Sequence, residues 1–245
     1  MSKTDYLRDL EGSSSFSRQE HLQSFRTGGY ELSEASFSKE LTKMVRSGEI
    51  LRVGKNVYSF PRKDIAVYEH EYSALAVEVA ALLREKFPLL DFSLLELIQL
   101  NDFVNHQIAH NIIFLSVEAD IMDFVFEALK ERYFGKVLIN PTPQIYHQYW
   151  SDNMIVIVKL VTEAPKDHEC PWHTGLEKFL VDIMAEPLLA ETVIESEYPG
   201  IYEDALSRYI CYENRLFRYA KRRRADEKIR RLIEEKTDIV LSTGR

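Results

Sequence analysis

The sequence predicts an α/β protein: a small helix-and-hairpin unit followed by a larger domain whose helices cover a mixed sheet. Three observations predict this. After Gly48 the apolar period changes from helical to alternating. Between Tyr72 and Val161, helical stripes take turns with short apolar runs such as "NIIFLSV" and "NMIVIVKLV". From Thr174 onward the helical period returns. The expected division is 1–63 and 64–245, with "FPRKD" (Phe60–Asp64) as the joint.

"SSSFSRQEH" opens the first helix, where Ser17 and Glu20 have capping-box spacing and Leu22 and Phe25 give an inner edge. "RTGGYEL" is a turn. In the next helix Phe37, Leu41, Met44 and Val45 form one stripe, with Ser33 as N-cap and Gly48 as stop. Its solvent face is Ser36, Ser38, Lys39, Thr42, Lys43 and Arg46, with Glu40 the only acid among them. Ile50–Val53 and Asn56–Phe60 read as strands joined by Gly54-Lys55, a two-residue loop with glycine first, as a type II′ turn prefers. That register puts Leu51, Tyr58 and Phe60 on one face and Lys55 at the tip. A polar-basic helix followed by a basic-tipped hairpin is the pattern of a winged helix, whose helix enters the major groove while the wing follows the backbone. The same module also serves protein–protein contacts. The candidate DNA-binding residues are Ser36, Ser38, Lys39, Thr42, Lys43 and Arg46 on the helix, with Arg52 and Lys55 on the wing.

In the second part, Tyr72–Lys86 is a helix with Leu75, Val79, Leu82 and Leu83 inside. "DFSLLEL" is a strand, "NDFVNHQIAH" a short helix or loop, and Asn111–Val117 a buried strand. Ala119–Tyr133 is a helix with Ile121, Phe124, Val125 and Ala128 inside and Asp120 placed to cap it. "GKVLIN" and "NMIVIVKLV" are two further strands. "TGLEKFLVDIM" is a helix on the stripe Leu176, Phe179, Leu180, Ile183 and Met184, with Thr174 and Glu177 at capping-box spacing and Pro187 ending it. Gly200–Tyr212 and a very basic Glu213–Glu235 complete the chain's helices.

The net charge of −8 is uneven: residues 1–63 carry a net +3 and residues 64–245 a net −11. Attraction to DNA then rests on local Lys and Arg contacts and is salt-dependent. No apolar run approaches membrane-spanning length, and the N-terminal stretch lacks a signal-peptide core, so the expected location is the cytoplasm. Cys170 and Cys211 are the only cysteines, which argues against a disulfide scaffold.

A metal is not expected. "HECPWH" offers His168, Cys170 and His173, but zinc wants four well-spaced ligands, and His106/His110 lacks the acid of HExxH. No cofactor is expected either: there is no GxGxxG, no GxxxxGK[ST] and no GxSxG. No Gly-Ser turn precedes paired acids, so a nucleotidyltransferase constellation is missing, and the chain is not expected to be an enzyme. "RLFRYAKRRRADEKIRR" (Arg215–Arg231) carries a net +7. Leu216, Tyr219 and Ala220 face inward in this reading. Arg218, Lys221, Arg222, Arg223 and Arg224 are then either a solvated helix end or a surface for phosphate, RNA or an acidic protein.

Taken together, "GEILRVGKNVYSF", "TGLEKFLVDI" and "LFRYAKRR" resemble the AbiE-type antitoxins, regulators from bacterial type IV toxin–antitoxin and abortive-infection systems. The resemblance runs from about Ser17 to Arg224 and rests on diffuse helix and strand patterns. It implies an N-terminal winged helix that represses its own operon by binding double-stranded promoter DNA. It also implies a second domain that counteracts a nucleotidyltransferase-like toxin without a stable complex. Two alternatives stay open: a winged-helix regulator or adaptor in a phage-defence locus without a cognate toxin, and a divalent-metal-dependent nucleic-acid enzyme.

Overall fold

The computed structural model describes residues 16–27, 29, 33–46, 50–54, 56–59, 66–104, 106–167 and 170–241. Gly48, Lys55, the Phe60–Asp64 joint and His168 lie outside the described residues, as does the side chain of Arg46. The chain divides into two compact units, 1–66 with 212–214 and 241–245, and 67–211 with 215–240. The fold is mixed α/β, as its hydrophobic periods require. No helix among the described residues is long and apolar enough to cross a membrane.

The first unit contains β1 (Phe16–Ser17), α1 (Arg18–Thr27), α2 (Glu34–Arg46), β2 (Leu51–Gly54) and β3 (Val57–Ser59). The Ser17–Glu20 capping box forms in full. The Ser17 amide donates to the Glu20 carboxylate at 2.6 Å, and the Glu20 amide to Ser17 Oγ at 3.1 Å. Ser33 caps α2 by accepting from the Ser36 amide at 3.3 Å. The stripe predicted for α2 is inside: Phe37, Leu41 and Met44 are buried with Phe16, Phe25, Ile50 and Tyr58, and Val45 packs against them. The strands form an antiparallel sheet in the order β1-β3-β2.

The hairpin register differs from the expected one by a residue. Leu51 opposes Ser59, Arg52 opposes Tyr58 and Gly54 opposes Val57, so Gly54 is paired in the ladder rather than placed in the connection. Asn56 takes the left-handed conformation, φ 61°, which asparagine tolerates better than most side chains.

The second unit is built on β4 (Phe92–Glu96), β5 (Ile112–Val117), β6 (Val137–Ile139) and β7 (Met154–Lys159), in sheet order β4-β5-β7-β6. β4 runs antiparallel to β5, and the other pairs are parallel. β5 and β7 lie between neighbours and are covered on both faces, which is why their sequences are unbroken apolar runs. Phe92, Leu94, Ile113, Leu115, Ile155 and Ile157 pack beneath α3 (Ala74–Lys86) and α4 (Met122–Arg132). The opposite face, including Leu95, Phe114, Ser116 and Val158, meets α6 (Leu176–Ala185). Beyond it, Tyr202 of α8 (Tyr198–Arg208) donates to the Leu180 carbonyl at 2.6 Å, and Tyr198 to that of Ile183 at 2.8 Å. The described residues also form α5 (Pro143–Tyr149), α7 (Pro187–Ala190), α9 (Glu213–Arg222) and α10 (Asp226–Lys236).

Two polar anchors hold this unit in register. Glu96, fully buried at the end of β4, accepts from the Ser73 amide at 2.8 Å, Ser73 Oγ at 2.6 Å, Asn111 Nδ2 and His70. Burial opposes its ionisation, but these hydrogen bonds outweigh it and keep the carboxyl below the usual range. Ser73 is also the N-cap of α3, so one carboxylate fixes where the helix starts on the sheet. At the outer edge of β4, the Leu94 amide donates to the Trp172 carbonyl at 2.8 Å, and Thr174 Oγ1 to the Leu94 carbonyl at 2.7 Å. The Trp172–Thr174 segment thus closes that edge.

Several expectations are corrected here. Thr174 does not cap α6; its hydroxyl is taken by β4, the N-cap is Gly175 and no side chain caps the helix. α4 is likewise capped by Ile121, not Asp120. Phe124 is 65% exposed, because the buried stripe of α4 is Met122, Val125 and Leu129. The predicted Glu213–Glu235 helix is two helices, interrupted at Arg224, which has φ 56°.

Candidate nucleic-acid interface

The outward face of α2 follows from its inward one. With Phe37, Leu41 and Met44 fixed in the core, the 3.6-residue period leaves Ser36, Ser38, Lys39, Thr42 and Lys43 exposed together. Ser38, Lys39, Thr42 and Lys43 line one open hollow. Two of the hydroxyls are engaged within the helix: Ser38 Oγ donates to the Glu34 carbonyl at 2.9 Å, and Thr42 Oγ1 to the Ser38 carbonyl at 2.8 Å. Thr42 Oγ1 still offers acceptor lone pairs outward, whereas Ser38 Oγ also accepts from Arg18. Lys43 Nζ lies 3.9 Å from Glu40, an exposed pair that holds the lysine weakly. Arg52 is exposed on β2. Arg46 is the last residue of α2, while Lys55 lies outside the described residues.

Sequence reasoning missed Arg18. This α1 residue reaches Glu34 at 2.6 Å and Ser38 Oγ at 3.0 Å, and its guanidinium stands 5.2 Å from the Phe37 ring centre. It ties α1 to the first turn of α2 and sets a cation at the margin of the polar face. The signal in the sequence was only its position at the start of α1.

The second candidate surface is on α9. Arg218, Lys221, Arg222 and Arg224 are exposed. Arg223 is not part of that surface and is a correction. Its guanidinium turns inward, with Nε 3.4 Å from Asp182 and Nη2 2.9 Å from Glu186. It follows Leu216, Tyr219 and Ala220 at helical spacing, so it stands on the buried side of α9. Arg218 and Arg222 both meet the carboxylate of Glu163.

The histidines and cysteines are scattered. The Cys170 amide donates to Asp167, His147 meets Glu191 at 2.9 Å, and His110 stands against Trp150. The His173 ring packs between Tyr72 and Trp172, and burial lowers its pKa. Among the described residues, no three His, Cys, Asp or Glu side chains are grouped to hold a metal ion. Glu177 is buried, with one oxygen 3.9 Å from Arg215, rather than capping a helix.

A family model described as "Family of unknown function (DUF6577)" matches residues 36–239. The chain belongs to the DUF6577 family. The DUF6577 match begins inside α2 and runs past the end of α10, so it takes in Ser36 to Lys43 of the polar helix face and all but the last residue of the second unit. No curated protein matches the chain. Among solved structures, this DUF6577 member is similar to the crystal structure of the RV2827C protein from Mycobacterium tuberculosis. The two are 12% identical with a TM-score of 0.34, over 96% of this chain and 83% of that one.

Proposed function

We propose that the protein is a DNA-binding transcriptional regulator that uses α2 as its reading helix. The observation that carries this reading is the single exposed face of Ser36, Ser38, Lys39, Thr42 and Lys43 above a formed core. Small and cationic side chains, with Ala35 the exposed apolar residue among them, suit a groove lined by phosphates and base edges. The β2–β3 hairpin follows as the wing, with Arg52 toward the backbone. The protein works in the cytoplasm on its own promoter. Following the AbiE resemblance, its second unit counteracts a nucleotidyltransferase-like toxin, with Arg218, Lys221, Arg222 and Arg224 as the partner surface, and it carries out no catalysis of its own.

The test is a promoter-shift assay with Lys39→Ala/Lys43→Ala. Loss of two phosphate contacts lowers affinity on all sequences and reduces the salt slope by about two. Circular dichroism verifies that the variant is folded. Unchanged binding by a folded variant removes α2 from the reading.

A further inference from the structure

The exposed face of α9 is neutralised from outside the helix. Glu163, on the loop after β7, presents its carboxylate to two arginines one helical turn apart: Arg218 Nε lies 3.2 Å from one oxygen, and Arg222 donates to the other. The Arg222 guanidinium holds the Glu163 carboxyl below the usual range. Glu163 adopts φ 64°, a left-handed backbone that a residue with a Cβ takes up only at a cost. Lys221 and Arg224 are exposed beside these two arginines, and neither has an ion pair among the described residues. Glu163 lines an open hollow of about 550 Å³ together with Lys166, Asp167, Arg215 and Arg218, among others.

A plainer reading exists. Cations near the C-terminus of a helix are favoured by its dipole, and a neighbouring acid then simply tempers their repulsion. It does not account for a strained backbone that delivers one carboxylate to two guanidiniums. Two arginines sharing two oxygens is also the arrangement by which guanidiniums hold a phosphate. All three side chains are partly open to water, so the contact is exchangeable.

We propose that Glu163 is a resident stand-in for a phosphate, and that the α9 face binds the phosphodiester backbone of a nucleic acid once Glu163 swings away. The inference rests on reading α9 as a partner surface and is independent of DNA binding by α2. A nucleic-acid phosphate takes the place of the carboxylate between Arg218 and Arg222, with Lys221 and Arg224 meeting its neighbours along the strand.

The experiment uses the full chain carrying Lys39→Ala/Lys43→Ala, so that α2 does not contribute. Fluorescence anisotropy is read with a labelled single-stranded RNA, a DNA duplex of unrelated sequence, and an acidic peptide. Glu163→Gln should raise affinity for the nucleic acid about three- to tenfold at low salt and steepen the salt slope by about one. Adding Arg218→Gln/Arg222→Gln should abolish the gain. Which nucleic-acid probe shows the gain identifies the source of the phosphate. Glu163→Asn, which tolerates the left-handed backbone, should behave the same way and serves if Glu163→Gln fails to fold. Unchanged affinity in both Glu163 variants, with binding still lost in the arginine variants, overturns the stand-in role but spares the surface. No binding by any variant overturns the surface itself. A gain confined to the acidic peptide overturns the assignment to phosphate.

Discussion

His21 is a buried imidazole packed against aromatic rings. It is fully buried, with the rings of Phe16, Phe25 and Phe37 5.2–6.2 Å away. Burial lowers its pKa from 6.5 to about 4, because the apolar shell penalises the charged form. The unfolded chain binds a proton as pH falls through 6.5, whereas the folded unit resists until about 4. Its neutral state is therefore costless above pH 6.5, and stability declines progressively below it, by a total of about 3 kcal/mol at full effect. A small unit has little to spare against a loss of that size. Protection factors of the Phe37 and Leu41 amides, taken relative to the intrinsic exchange rate at each pH, should therefore fall between pH 6.5 and 4.5, while those in β5 and β7 change less. His21→Leu should flatten that acid dependence. An unaltered profile in the variant assigns the effect to other groups.

Among the elements, α6 shows what the sequence made legible and what it concealed. Its apolar stripe was readable, and so were α2, the buried strands and the Ser17–Glu20 box, because each rests on local spacing. Its burial on every side was not, since Glu177, Lys178 and Asp182 look like a solvated face until the neighbouring helices are in place. Asp182 accepts from Lys178 at 2.5 Å and Tyr219 at 2.9 Å, and Arg223 completes the group. Arg223 was legible in principle, as the last member of the Leu216, Tyr219, Ala220 series, but a run of four basic residues hid its position. α5 was missed because seven residues are too few to display a period; only Thr142 and Pro143 mark its start. The α2 face was legible, whereas Glu163 was not, since no spacing rule joins a loop to a helix more than fifty residues later. Asp182→Asn should cost about 3–5 kcal/mol in urea denaturation, by leaving buried Lys178 charged without its carboxylate and Arg223 with Glu186 alone. Lys178→Met/Asp182→Leu should recover much of that loss, because an apolar pair of similar size needs no compensation. If the double variant is as unstable as the single one, the network supplies more than charge balance.

At the scale of the whole molecule, the charge division makes two separable activities the economical expectation. Under the proposed function, Lys39→Ala/Lys43→Ala should relieve repression of a promoter reporter while still protecting cells that express the proposed toxin. Arg218→Glu/Arg222→Glu should do the reverse. Loss of both readouts in both folded variants would mean that the two surfaces act as one. The closure of β4 by Trp172–Thr174 bears on something else, the order in which the chain is made. The sheet is complete in sequence at Lys159, but its outer strand gains its cover only when Thr174 has been synthesised, about fifteen residues later. At ribosomal rates of ~5–20 residues per second that gap lasts about one to three seconds. During that interval a row of free amides and carbonyls beside the buried run "FSLLE" is exposed to other nascent chains. A pause engineered between the codons for Lys159 and Thr174 should therefore raise aggregation during expression more than an equal pause placed after Met184.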